Sequence, residues 1–216
     1  MGNDSRDIDC IRELKIVFLG DSAVGKSSLI NQLCYGEFQY NPNQTIGVES
    51  REKIYNYNGV NIRLRIFDSS GQPNFRSCLN QYYRNALAVI IVFDLNNYAS
   101  FKSLSDWIAE ANSFEISSLI FVVGNKNDLD RVVLIEDIER FLRKKNINYF
   151  ETSAANRDNV EKVFSNIFNT IIVSRGSLRN LLEKHSIQSS KDKNHKNKRK
   201  RNFFDRLCCC SKDYSS

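Results

Sequence analysis

At 216 residues and 41% hydrophobic, the chain can form one domain of ordinary size with a sizeable core, plus an appendage. Its net charge of +6 is unevenly held: residues 1–176 carry 20 Lys+Arg against 21 Asp+Glu, a net of −1, and residues 177–216 carry 11 against 4, a net of +7. No stretch approaches the roughly 18–20 apolar residues that span a bilayer, the polar start MGNDSRDIDC lacks the apolar core of a secretory signal, and the six cysteines (Cys10, Cys34, Cys78, Cys208, Cys209, Cys210) offer neither a disulfide framework nor a CxxC zinc pair, so a cytosolic protein with reduced thiols is expected.

In chain order, residues 1–10 read as an N-terminal extension, 11–176 as the folded domain, 177–207 as a basic tail and 208–216 as a cysteine-bearing end. The first short β-branched run, Leu14–Leu19, reads as a buried strand. It leads directly into Gly20-Asp21-Ser22-Ala23-Val24-Gly25-Lys26-Ser27, which fits G-x-x-x-x-G-K-[ST], and then into a helix over Ser27–Leu33. Strand, loop and helix in that order form a phosphate cradle: inward backbone N–H groups and a helix N-terminus attract anionic oxygens, and the glycines admit close approach. Lys26 is positioned for the β- and γ-phosphates and Ser27 for Mg²⁺. This motif alone does not choose between ATP and GTP.

Ser50–Tyr57 and Val60–Phe67 flank Asn58-Gly59, a hairpin signal that predicts one antiparallel edge strand. Ala88–Phe93 and Leu119–Val123 read as further strands, and Phe101, Leu104, Trp107, Ile108 and Ala111 recur at helix spacing between them. The Asn125-Lys126-Asn127-Asp128 segment follows Leu119–Val123, and Glu151-Thr152-Ser153-Ala154 follows another short strand. A carboxylate at Asp128 can accept both hydrogens of the N1 and N2 edge of guanine, a donor pair that adenine lacks, and a backbone N–H of the second segment can donate to O6. Val160, Val163, Phe164, Ile167, Phe168, Ile171 and Ile172 predict a final helix, which Leu178, Leu181 and Leu182 extend briefly. Alternating strands and helices predict an α/β fold with a mostly parallel sheet.

The ordered set GDSAVGKS, TIGVE, DSSGQ, NKND and ETSA resembles Ras-type small GTPases. Four further segments make the chain similar to the Rab family: Ile46-Gly47-Val48-Glu49, Arg63–Asp68, Tyr82-Tyr83-Arg84-Asn85-Ala86 and Ile91–Asp94. The resemblance covers about residues 11–175. It implies a P-loop NTPase G domain, with a six-stranded, mostly parallel sheet, one antiparallel edge strand and helices on both faces. It further implies GTP and GDP binding with Mg²⁺, and slow GTP hydrolysis assisted by a GTPase-activating protein.

Residue roles follow from the resemblance and not from spacing. Gly20, Ser22, Ala23, Val24, Gly25, Lys26, Ser27 and Ser28 would hold phosphates, Phe38 would sit edge-on near the base, and Asn125, Lys126, Asp128, Ser153, Ala154 and Ala155 would form the guanine site. Ser27, Thr45 and Asp68 would hold Mg²⁺, the Gly71 amide would sense the γ-phosphate and Gln72 would orient the attacking water. Ile46, Gly47, Ser50, Phe67 and Tyr82 would form an effector surface. Other implied partners are a guanine nucleotide exchange factor, a GDP-dissociation inhibitor or escort protein, and a membrane surface. The protein is expected to be monomeric, to bind no nucleic acid, and to move between cytosol and the cytoplasmic face of an endomembrane in vesicle or protein transport.

Several positions depart from the family pattern. Ser70 stands where an alanine is usual beside the γ-phosphate, and Pro73 follows Gln72 and removes a backbone donor. Both bear on hydrolysis, so a slow or non-hydrolysing GTP-binding scaffold is the alternative; a P-loop nucleotide kinase is opposed by Asn125–Asp128. Ser50 replaces an aromatic of the effector triad, and Ala155 replaces a lysine whose stem covers the base. From Ser186 to Asn202 the composition predicts a disordered linker. Within the tail, Lys191–Arg201 holds seven basic residues and one acid, suited to an anionic leaflet at about 1 kcal/mol per basic residue. Cys208, Cys209 and Cys210 are candidate lipidation sites, by prenyl groups or palmitate, although Ser211–Ser216 follow them and no CaaX box is present. Gly2 as a myristoylation site has its hydroxyl residue, Ser5, one position out of place.

Overall fold

The computed structural model describes residues 13–40, 43–72, 82, 84–113, 119–143 and 145–176. Among them lie six strands and five helices: β1 (Glu13–Leu19), α1 (Lys26–Tyr35), β2 (Val48–Tyr57), β3 (Val60–Ser69), β4 (Ala88–Asp94), α2 (Tyr98–Lys102), α3 (Leu104–Ser113), β5 (Leu119–Asn125), α4 (Ile135–Leu142), β6 (Asn148–Glu151) and α5 (Val160–Ser174). The sheet order is β2-β3-β1-β4-β5-β6. Only β2 and β3 run antiparallel; every other neighbouring pair is parallel.

Each element follows from its residues. All seven residues of β4 are buried, as a central parallel strand covered on both faces requires. The β2–β3 hairpin turns at Asn58 (φ 49°) and Gly59 (φ 83°), the two positive angles of a tight hairpin turn. The α1 helix stops at Gly36 (φ 70°), whose N–H closes on the Gln32 carbonyl at 3.0 Å. Helices pack on both faces of the sheet. One core layer joins Phe18, Ile30, Phe164 and Phe168, from β1, α1 and α5, and the other joins Phe93, Phe101, Trp107 and Ile138, from β4, α2, α3 and α4.

Two features differ from the sequence expectation. The single helical pattern through Phe101 and Ala111 is two helices: a five-residue helix, capped at its start by Asn97, ends at Ser103, and the next begins at Leu104. The α4 helix has no counterpart in the sequence reading: only Ile138 and Leu142 of its eight residues are buried, so its apolar signal is two positions long. Among the described residues no helix is long and apolar enough to cross a membrane. Gly2, Cys10, Pro73, Cys78, Tyr83, Leu178, Leu181, Leu182, the basic run and the three terminal cysteines lie outside the described residues.

The parallel strands all end on one side of the sheet. Residues following β1, β4, β5 and β6, together with the end of β3, therefore meet there, at the carboxyl edge where α/β sheets place ligands.

Candidate functional site

A cleft of about 650 Å³ opens at this edge. One wall is the loop from Gly20 to Ser27. Gly20 has φ 132°, and a Cβ there would lie 2.1 Å from the Val92 carbonyl oxygen; Gly25 has φ 95°, and a Cβ there would lie 2.3 Å from Asn125 Nδ2. No other residue type fits either position. The loop is also held from outside, since Trp107 Nε1 donates to Asp21 Oδ1 at 2.8 Å.

Lys26 is 5% exposed, and its Nζ donates to the carbonyls of Gly20 at 2.8 Å and Asp21 at 2.7 Å. Burial lowers its pKa to about 8, and the carboxylates of Asp68 and Asp21 offset only part of that shift. Beside it, Ser27 Oγ and Thr45 Oγ1 share a hydrogen bond of 2.9 Å, joining the start of α1 to the loop before β2. Asp68, near the end of β3, is fully buried. Neither of its carboxylate oxygens has a hydrogen-bond partner. Burial raises its pKa; the Ser27 hydroxyl and the Lys26 ammonium pull it back, but Ser27 is engaged with Thr45. Two hydroxyls and an unsatisfied carboxylate are hard oxygen donors of the kind Mg²⁺ takes when substrate phosphates complete its shell, so this corner fits that ion.

The segment after β3 closes the cleft. Ser70 N–H donates to the Gly47 carbonyl at 2.8 Å, tying it to the loop before β2. Gly71 packs against the phosphate loop so tightly that a Cβ would lie 2.2 Å from Ser22 N. The Gln72 backbone N–H donates to Ser70 Oγ at 3.4 Å, and Gln72 is not among the residues lining the cleft.

At the opposite end, Asn125 is 1% exposed and joins three loops. Its Nδ2 donates to the Val24 carbonyl at 3.0 Å, while its Oδ1 accepts from Ala154 N at 3.3 Å and from Thr152 Oγ1 at 3.4 Å. Lys126 pairs with Asp94 at 2.7 Å, and Asp128 accepts from the Ser153 hydroxyl.

Of the residues singled out from sequence, Ser22, Ala23, Gly25, Lys26, Ser27, Ser28, Phe38, Thr45, Gly71, Asn125, Lys126, Asp128, Ala154 and Ala155 line the cleft. Gly20, Val24, Asp68 and Ser153 support it from behind through the contacts above. Sequence reasoning did not single out Gln39, Tyr40, Asn43, Gln44 or Leu129, which also line it. Gln44 is adjacent to Thr45 and reaches Ser22 Oγ at 3.2 Å, and Tyr40 meets Phe38 edge-on at 5.1 Å. No short motif marks these loop positions.

The expected effector positions lie together on a neighbouring surface. Ser50 faces Phe67 across the β2–β3 register, and Phe67 meets Tyr82 at 5.4 Å between ring centroids. Ile46 is 79% exposed. Phe67 is itself buried, and the Lys15 ammonium and Arg65 guanidinium lie over its ring at 4.9 and 5.5 Å from the centroid.

Comparison with known proteins follows the same architecture. The Ras family model matches residues 15–173. The Ras-related protein RABA1c of Arabidopsis thaliana is 33% identical over 184 residues, covering 83% of this chain and 85% of its own length. Ras-related protein Rab-2B of Dictyostelium discoideum is 38% identical over 165 residues (75% and 82%), and Ras-related protein Rab-4B of Homo sapiens is 34% identical over 161 residues (73% and 76%).

Proposed function

The chain belongs to the Ras family, among its Rab members, and is a small GTPase; from that premise we propose that it is a GTP-hydrolysing switch acting on an intracellular membrane in vesicle or protein transport. The observation that carries the nucleotide reading is the corner where the buried, partnerless Asp68 carboxylate meets the Ser27 and Thr45 hydroxyls, with Lys26 beside it and Asp128 at the far end of the same cleft.

Lys26 exchanges the Gly20 and Asp21 carbonyls for β- and γ-phosphate oxygens of bound GTP. Asp128 accepts from the guanine edge, and Asn125 holds the phosphate loop and both guanine loops in one frame. Ser27, Thr45 and Asp68 would hold Mg²⁺, which would supply positive charge against the phosphates. Gln72 orients a water for attack on the γ-phosphorus as the bond to the β-phosphate oxygen breaks. Loss of the γ-phosphate frees Thr45 and Gly71, so the Ser70–Gly47 link between the two loops loosens together with them. An exchange factor, a GTPase-activating protein, a GDP-dissociation inhibitor or escort, and effectors reading Ile46, Gly47, Ser50, Phe67 and Tyr82 complete the cycle. Lipid at Cys208–Cys210 supplies the membrane anchor.

Equilibrium binding of a fluorescent guanine nucleotide with and without Mg²⁺, followed by single-turnover GTP hydrolysis, tests the reading. Binding that ignores Mg²⁺, or that ATP competes away as well as GTP does, would sink it. A second reading has one specific observation behind it: the Ser70 hydroxyl accepts the Gln72 backbone N–H and so ties down the backbone that carries Gln72. That reading is a persistent GTP-bound scaffold, and it requires bound GTP to remain uncleaved even with GTPase-activating proteins present.

A further inference from the structure

The strand β6 is the outer edge of the sheet, and an open cleft of about 630 Å³ lies against it, separate from the nucleotide site. Its floor is neutralised internally: Arg131 pairs with Glu151, whose other oxygen accepts from the Tyr149 hydroxyl at 2.6 Å. Leu134, Ile135, Phe150 and Glu136 complete its lining. Val132, Leu134 and Ile135 are 49%, 56% and 39% exposed, although they are large aliphatic side chains close together in the chain. Asp130, Glu136 and Glu139 are exposed in the same segment, while Asp137 is paired with Arg140 and Arg131 with Glu151. Exposed aliphatic side chains beside a cleft with an excess of acidic neighbours form a candidate docking surface.

We propose that this surface docks the chain's own tail, residues 191–207. The chemistry is reciprocal. Residues 191–207 carry eight Lys+Arg against two Asp, and Phe203, Phe204 and Leu207 supply aromatic and aliphatic side chains at their end. The folded body as a whole has a net charge of −1, so this patch is a local concentration of negative charge and not part of a general acidic surface. Reach is sufficient. The α5 helix begins near the end of β6 and its 15 residues carry the chain back about 22 Å; Phe203 lies 27 residues beyond Gly176, a span of up to about 90 Å at full extension. Covalent linkage raises the effective concentration of the tail, so a weak contact is occupied without an external partner. The docked tail withholds its basic run and terminal cysteines from an anionic membrane, and the two surfaces compete for the same charges.

The test uses the full chain with a benzoylphenylalanine photo-cross-linker in place of Val132, prepared as a mixture of ¹⁴N and ¹⁵N protein. Mass spectrometry after illumination is expected to find cross-links to peptides within 191–207, with both halves carrying the same isotope. Their yield is expected to fall at least fivefold in 1 M salt, with phosphatidylserine vesicles present, or in the variant Leu134→Ser, Glu136→Lys, Glu139→Lys. Fluorescent guanine nucleotide binding by that variant checks that it is folded. Mixed-isotope links would assign the surface to a second copy, and links to other segments or none at all would leave it without the tail; either result overturns the proposal. Full cross-link yield in the folded triple variant would do the same.

Discussion

Asp68 can be tested by removing its charge. Asp68→Asn should stabilise the metal-free, nucleotide-free protein while abolishing stabilisation by Mg²⁺ with nucleotide. Two buried carboxylate oxygens lack donors, at a desolvation cost of about 1–3 kcal/mol each, and the nearby Ser27 hydroxyl and attraction to Lys26 return part of it, leaving a net cost of about 2 kcal/mol at neutral pH. For a domain of this size that is a rise of about 4–8 °C in Tm. The pH dependence has a definite sign. A carboxyl whose folded pKa is raised stabilises the fold when protonated, and this contribution is lost as pH rises through the folded value. Metal-free wild type should therefore gain stability on acidification just above the ordinary carboxylate range, and the variant should lack that component. Thermal unfolding by circular dichroism in EDTA, at a series of pH values and again with Mg²⁺ and GDP, reads both effects. A variant that melts at or below wild type in EDTA would refute the account of Asp68 as an unsatisfied buried charge.

Asp128→Asn should weaken GTP binding at least a hundredfold and improve binding of xanthosine triphosphate, measured by competition; an unchanged preference would remove Asp128 from the guanine edge. Because Lys26 is held at about 8 in the free protein and phosphates favour its charged form, nucleotide binding should take up close to one proton at pH 9 and little at pH 7, which calorimetry in buffers of different ionisation enthalpy detects. Gly71→Ala places a carbon 2.2 Å from Ser22 N, so this segment must lift from the phosphate loop; GTP hydrolysis should fall at least tenfold in single-turnover assays, with guanine recognition kept. Changing Cys208, Cys209 and Cys210 together to serine should release the protein from membranes in flotation assays without altering GTP binding; retention after a salt wash would move the anchor elsewhere, with Gly2 the first position to examine.

What the sequence made legible was whatever is encoded locally. The phosphate loop, the Asn58-Gly59 hairpin and the buried β4 each state their structure within a few residues, and each is found where expected. Two elements were harder to see. The α4 helix turns only Ile138 and Leu142 inward, too few to generate a period. The break at Ser103 leaves the apolar spacing unbroken from Phe101 into the next helix, so the periodic signal runs across it. Within the site, residue identities were legible and their pairings were not. That Asp68 lies without a hydrogen-bond partner, and that Trp107 braces Asp21, are facts of three-dimensional closeness between segments as far as 86 positions apart.

Asn125 joins residues from three distant stretches of chain, with Val24 on one side and Thr152 and Ala154 on the other. During synthesis the chain emerges N-terminus first. The phosphate loop at residues 20–27 is therefore finished as a sequence long before it is finished as a site, because its brace comes 101 positions later and the anchor for that brace comes later still. Until Ala154 has left the ribosome, the nascent protein has no complete cleft with which to capture nucleotide. The nucleotide cleft is thus completed in a single late event, not assembled piece by piece as its loops emerge.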